Sequence, residues 1–250
     1  MNETIKLLRS HRSIRKYKNT AVPEGHLQEI ILAAQSAPTS SNIQAYSVVA
    51  VRDPERKRRL AELSGNQQHI IESPVFLVWC ADLNKIRTAI HFHEERELVQ
   101  NVELFLLGTI DATLAAQNAT VAAESLGYGT VYIGGIRNNP QDVTDLLELP
   151  QLVYPVFGLC IGVSDQEPDI RPRLPIAAVY HQEVYGEEGL QDEIKAYDEI
   201  TKSYYAARKG VAKSGERDTR WSKEILRRFN GEHLRDHLHD FLHDRGFRLK

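Results

Sequence analysis

Apolar and polar positions alternate or cluster along the chain in a way that predicts a mixed α and β fold. Residues 3–10 (ETIKLLRS) place Ile5 and Leu8 on one helical face, and residues 24–37 repeat the pattern after Pro23 with Leu27, Ile30, Ile31 and Ala34. YSVVAVRD (46–53) and VFLVWCAD (75–82) are β-branched and aromatic runs that predict strands, with a charged helix over 54–64 and a polar GNQQH loop between them. GTVYIGG (129–135) and LVYPVFGLCIGV (152–163) predict two more strands, separated by a helix in NPQDVTDLLELP with Pro140 near its start.

Residues 94–126 contain no proline and predict the longest helix, about 50 Å at 1.5 Å per residue. Its apolar face is read as Val102, Phe105, Leu106, Ile110, Leu114, Ala115, Ala119, Val121 and Ala122. Six alanines make it slim, which suits either the centre of a domain or a subunit interface. DIRPRLPIAAVY follows the last strand, and its prolines forbid regular helix. After Glu187 the character changes to two charged helices, 190–208 and 221–246, joined by the polar linker RKGVAKSGERDTR. The division expected is a core of 1–186 and a helical extension of 187–250.

Composition narrows the class. The 250 residues carry 31 Lys plus Arg against 34 Asp plus Glu, a net charge of -3, so no broad basic field exists for nucleic acid. No apolar run approaches a membrane span, and the N-terminus lacks a signal-peptide pattern, which together predict a cytoplasmic protein. The two cysteines, Cys80 and Cys160, lie in strand-like runs and read as buried free thiols.

The candidate chemistry starts from HRSIRKY (11–17), a dense set of donors in an acidic chain. Alone it reads as a solvated basic loop or as a phosphate site. GxGxxG and Walker patterns are missing, so any phosphate must be held by side-chain cations. His11, Arg12, Ser13 and Arg15 are one source, and Arg171 and Arg173, pinned by Pro172 and Pro175, are another. Histidine pairs (His91 and His93, His233 and His237, His239 and His243) read as a solvated helix face rather than a metal site, since HExxH is absent. GxSxG is also missing, and neither cysteine has a nearby histidine in sequence. In YIGG (132–135), two glycines at a strand end expose backbone N–H groups against which a flat ring can lie, or simply form a turn.

The order HRSIR, APTSSNIQ, GNQQH, AAESLGYGTVYIGGIRNNP, LPxxVYPVFGLCIG and RPRLP resembles the nitroreductase/flavin reductase family, closest to its NADPH-oxidising branch. RDTRWS (217–222) extends the match. The resemblance implies an α+β fold with a mostly antiparallel central sheet flanked by helices, a C-terminal helical extension and an intertwined homodimer. It implies tight, noncovalent FMN, with NADPH as cosubstrate, NADH as a possible one, and a small-molecule oxidant. By position His11, Arg12, Ser13 and Arg173 would surround the phosphate, and Arg15 and Arg171 the pyrimidine edge. Ser40, Ser41 and Gln67 would add polar contacts, and Tyr132, Ile133, Gly134 and Gly135 would lie near flavin N5, which carries the chemistry without a catalytic side chain. The branch usually has lysine where Arg171 stands. In the linker, Arg208 and then Arg217 are the candidates for the NADPH 2′-phosphate. Two-electron ping-pong reduction of nitroaromatics, quinones or free flavin is the expected activity. Flavin destruction or reductive dehalogenation on the same scaffold, or a non-enzymatic anion or nucleic-acid binder, are the alternatives.

Overall fold

The structure, a computed structural model, describes residues 1–98, 101–207, 218–231 and 235–248. It divides into two compact units, Met1–Pro168 with Arg235–Lys250, and Asp169–Leu234. These units are drawn by packing and fall at 168 and 235, whereas the division expected at 186 concerned where a cofactor core ends.

The first unit is built on a four-stranded antiparallel sheet of order β1-β2-β4-β3, with β1 Tyr46–Val51, β2 Val75–Asp82, β3 Gly129–Ile133 and β4 Val153–Gly162. Every residue of β2 is buried, which explains its unbroken apolar run: it is a central strand covered on both faces. Alternation sends Val75, Leu77, Trp79 and Ala81 to one layer, against α2 (Glu24–Gln35) and α6 (Val102–Ser125). Phe76, Val78 and Cys80 point to the other layer, with residues of α3 (Pro54–Leu63), α4 (Gln68–Glu72) and α7 (Pro140–Leu146). Both cysteines are buried and free, and burial pushes the Cys160 thiol up to about 12. Where Trp79 pairs with Phe157 and Cys80 with Pro155, Val156 is left as a bulge. Pro155 has no N–H to continue the ladder, and the Arg137 guanidinium donates to the free Val156 carbonyl.

Three predicted elements differ. The long helix starts at Val102 rather than 94, so α6 has 24 residues and spans about 36 Å. Asn101 sets the start by accepting from the Leu104 N–H at 3.1 Å. An unpredicted helix, α5 (Asn84–His91), precedes it. The 221–246 pattern is two helices, α9 (Trp221–Arg228) and α10 (His237–Asp244), because Gly231 takes a left-handed φ of 93° just after α9. The GNQQH loop closes at Gln67, and α4 begins one residue later. At the N-terminus, α1 (Glu3–Arg9) leaves Ile5 and Leu8 exposed.

α6 is apolar on two faces, and the expected face is only partly the buried one. Ala112, Ala115, Ala116, Ala119 and Ala123 are sealed against the sheet and α2, where small side chains allow close approach. Val102, Leu106, Ile110 and Leu114, at a spacing of four, remain 46%, 46%, 54% and 40% exposed. On the sealed face sits one carboxylate, Asp111, 1% exposed. Its Oδ2 accepts from the Ala45 N–H at 2.9 Å and its Oδ1 from the Ser40 N–H at 3.4 Å. It thereby holds a loop in which Ser41, Asn42 and Gln44 all have positive φ, a conformation costly for residues with a Cβ.

The second unit contains α8 (Leu190–Ala207) and α9. α8 caps α9 directly: Asp198 accepts from the Ser222 N–H at 2.8 Å and Ser222 Oγ at 2.6 Å, and Thr201 Oγ1 from the Trp221 N–H at 3.1 Å. Arg220 at the α9 N-cap has no side-chain role there, so the cap is supplied in trans along the chain.

Replacing Asp111 by alanine leaves the buried Ala45 N–H unpaired, so Asp111→Ala should lose about 2 kcal/mol of stability in urea titration, with Asp111→Asn losing less.

Candidate functional site

The N-terminal segment 11–18 lies as a strap along the sheet. Ser13 forms a parallel bridge with Thr130 of β3, and Tyr17 an antiparallel one with Ser164 just after β4. The Ile14 N–H donates to Thr130 O at 2.8 Å, the Lys18 N–H to Val163 O at 2.9 Å, and the Asp165 N–H to Lys16 O at 2.9 Å. Ile14 and Tyr17 are buried and anchor the strap from beneath. Gly129 makes this possible: a Cβ there would stand 2.5 Å from Ile14 Cγ1. On either side of Ile14, Ser13 is half-buried and Arg15 is exposed.

Arg12 and Arg15 are exposed and make no ion pair or side-chain hydrogen bond among the described residues. Two uncompensated guanidinium groups and the Ser13 hydroxyl on one short strap form a donor set suited to a phosphate. His11 differs. Its Nδ1 lies 2.6 Å from Glu124 Oε1, and the same oxygen accepts from Thr130 Oγ1 at 2.8 Å. His11 and Arg12 line a cleft of about 300 Å³ with Glu124, Tyr128, Ser164 and Glu167, so its walls carry both signs of charge.

Further along β3, Tyr132 packs edge-on against Phe157, with ring centroids 5.3 Å apart, and its hydroxyl accepts from Thr120 Oγ1 of α6 at 2.8 Å. Burial raises its phenol to about 12, so it stays a neutral hydroxyl. Ile133 is buried. The glycine pair does not leave an open strand end: Gly134–Asn138 turns into a 3-10 helix and Gly135 is buried. A Cβ at Gly135 would stand 2.3 Å from Ser64 O and 2.5 Å from Gln67 Nε2. Gln67, whose Nε2 donates to Ser64 O at 2.8 Å, is thus brought against Gly135. Ser40 and Ser41 stay exposed on the loop that Asp111 holds.

Arg171 and Arg173 belong to the second unit. The Arg171 guanidinium donates to the Tyr205 hydroxyl and lies 5.7 Å from that ring's centre. The hydrogen bond raises its pKa, against the opposing effect of burial. Tyr197 donates to Pro172 O at 2.9 Å and Tyr204 to Asp169 O at 3.4 Å. The segment 169–173 is therefore pinned by three tyrosines of α8 as well as by its prolines. Arg173 donates to Arg171 O at 2.7 Å and remains exposed. Arg208 and Arg217 lie outside the described residues.

Of the other sequence candidates, His237 Nε2 meets the Arg137 carbonyl at 3.0 Å, and His239 and His243 pair with neighbouring aspartates. Among the described residues no three His, Cys, Asp or Glu side chains gather as a metal site, and no helix is long and apolar enough to cross a membrane. Glu124, Asp111 and Tyr205 were missed from the sequence. Asp111 had a signal, being an acid on the small-residue face of the long helix.

The family-model comparison matches residues 8–163 to the Nitroreductase family and 171–250 to its C-terminal domain, so the chain belongs to the nitroreductase family. It is similar to the FMN reductase [NAD(P)H] of Bacillus subtilis (strain 168), 43% identical over 244 residues, covering 95% of this chain and 96% of that one. It is 41% identical over 228 residues to the oxygen-insensitive NADPH nitroreductase of Salmonella typhimurium, covering 91% of each chain. A solved structure of the Vibrio harveyi NADPH:FMN oxidoreductase complexed with NAD+ superposes with a TM-score of 0.87 at 37% identity, covering 98% of each chain.

One pH response follows from a neighbour of Gln67. His69 Nε2 is buried with no partner among the described residues, and burial, then the charge of Arg15, push its pKa below the ordinary 6.5. The unfolded chain therefore binds a proton that the folded chain refuses. Stability should fall as pH drops through about 6.5 towards the lower folded value, and His69→Asn should flatten that part of the urea-midpoint profile.

Proposed function

We propose that the chain is an FMN-dependent oxidoreductase that oxidises NADPH, and NADH less well, and reduces nitroaromatics, quinones or free flavin by two-electron, ping-pong turnover. The observation that carries it is the strap: Arg12 and Arg15 on either side of the Ser13–Ile14 pairing with β3, with both guanidinium groups unpaired among the described residues, in a chain similar over nearly its whole length to enzymes named for FMN and NADPH.

The residues fit FMN by the chemistry of their donors. His11, Arg12 and Ser13 would bind the phosphate, and kinship with the family adds Arg173. Arg15 and Arg171 would favour negative charge at the pyrimidine edge. Gln67, Ser40 and Ser41 would hydrogen-bond polar edges, while Tyr132, Ile133, Gly134 and Gly135 would border the ring. Bound FMN would supply the hydride chemistry between NADPH and the oxidant. The side chains bind, orient and keep charge in place, and none is required as acid or base. Arg208, and Arg217 second, would recognise the 2′-phosphate of NADPH. The core 1–186 would hold the flavin, with 187–250 serving the dimer and the nicotinamide site.

Assembly is part of the reading. The exposed Val102, Leu106, Ile110 and Leu114 stripe is contiguous apolar surface on the longest helix, and a second copy of the chain is its proposed partner. The dimer would be intertwined, as the family pattern implies.

Purified protein should be yellow and release FMN on denaturation. Arg12→Ala and Arg173→Ala should each weaken FMN by roughly 10- to 100-fold, the worth of one charge-assisted hydrogen bond; full retention by both variants would contradict the assignment. For assembly, light scattering should report a dimer of the wild-type chain, and Ile110→Asp with Leu114→Asp should give a monomer that has lost flavin. A flavin-loaded wild-type monomer would rule the dimer out.

A further inference from the structure

A carboxylate beside a phosphate site is an odd choice, since the two anions repel. Glu124 nevertheless stands there, near the C-terminus of α6, with its side chain only 12% exposed. Its Oε1 receives the Thr130 hydroxyl at 2.8 Å and lies 2.6 Å from His11 Nδ1. Thr130 is fully buried, and its backbone is what the strap pairs with at Ser13 and Ile14. One oxygen thus joins α6, β3 and the strap.

An ionised carboxylate only accepts hydrogen bonds, so His11 Nδ1 must be the donor. That fixes the tautomer and leaves Nε2 as the ring's free nitrogen. In the neutral ring Nε2 carries a lone pair and repels an anion. In the protonated ring it carries N–H and attracts one. We infer that Glu124 is the positioning residue of the phosphate end of the site, holding His11 so that it donates to an anion only as the imidazolium. The inference rests on the FMN reading above. It also resolves the oddity: the carboxylate is screened by the imidazolium it stabilises, whose positive N–H then faces the ligand.

The charged groups around His11 are few. Glu124 on α6, Glu167 beyond β4 and Arg12 on the strap line its cleft. α1 contributes Leu7 to the cleft and its C-cap Ser10 follows, and Tyr128 meets His26 at 2.6 Å. A phosphate at Nε2 binds the protonated ring better than the neutral one, so FMN affinity falls as the pH rises and the ring gives up its proton. The phosphate's own second ionisation, near pH 6, gives an opposite limb common to all variants.

The test titrates flavin-free protein with FMN, following flavin fluorescence, between roughly pH 5.5 and 9. Wild type should lose affinity on the alkaline side by roughly tenfold, the worth of one charge-assisted hydrogen bond. Glu124→Gln should move that limb to lower pH, and His11→Gln should remove it. Should Glu124→Gln not fold, His11→Gln on the strap and nitrogen-15 NMR of the wild-type imidazole decide: the neutral ring should carry its proton on Nδ1. An alkaline limb unchanged in His11→Gln, or a neutral ring protonated on Nε2, overturns the role of Glu124 while FMN still binds. Wild type that binds no FMN at any pH overturns the FMN reading and this role together.

Discussion

The strap's pairing with β3 is the constraint on which the first unit's candidate site depends. A seven-residue run of donors has no fixed direction in water, and ordering it costs about 1–2 kcal/mol of backbone entropy per residue. The cost is offset by the hydrogen bonds to Thr130 and Val163 and by the burial of Ile14 and Tyr17. Gly129 is where this can happen, because any side chain would displace Ile14. With Ile14 and Tyr17 seated, Arg12 and Arg15 beside them stay exposed. The placing of the site's cations is thus a consequence of how the strap is anchored, not of the cations themselves.

The same economy recurs elsewhere. One carboxylate, Asp111, holds a loop of three left-handed residues and so presents Ser40 and Ser41. In the second unit, three tyrosines of α8 receive the segment 169–173, and one of them holds Arg171 by both hydroxyl and ring. An arginine suits that position better than a lysine, because its planar group can stack while it donates. In each case a buried or aromatic side chain from a helix sets the conformation of a polar loop.

Much of this was legible in the chain. The four strands lie where β-branched runs stand, and Pro140 opens α7 as expected. The breaks were harder to see. HEERELVQ is a good helix sequence, and only Asn101, as a cap, separates it from α6. Gly231 separates α9 from α10 in a region whose apolar stripe reads through. The YIGG turn looked open because a glycine pair says nothing about what packs on it; here Ser64 and Gln67 do. Glu124 and Asp111 escaped notice because their partners, His11 and Ala45, are 113 and 66 residues away in sequence. The family order was readable from motifs, whereas the contacts that aim each side chain were not.

The central claim is that the strap recognises a phosphate. FMN and riboflavin share the same ring and ribityl chain and differ only in that group. Equilibrium binding of the two to flavin-free protein at constant ionic strength isolates it. The account predicts FMN binding at least roughly 100-fold tighter than riboflavin, the worth of two charge-assisted contacts after screening. Equal affinities would mean that the strap's cations face solvent and that the site, whatever it holds, does not hold a phosphate.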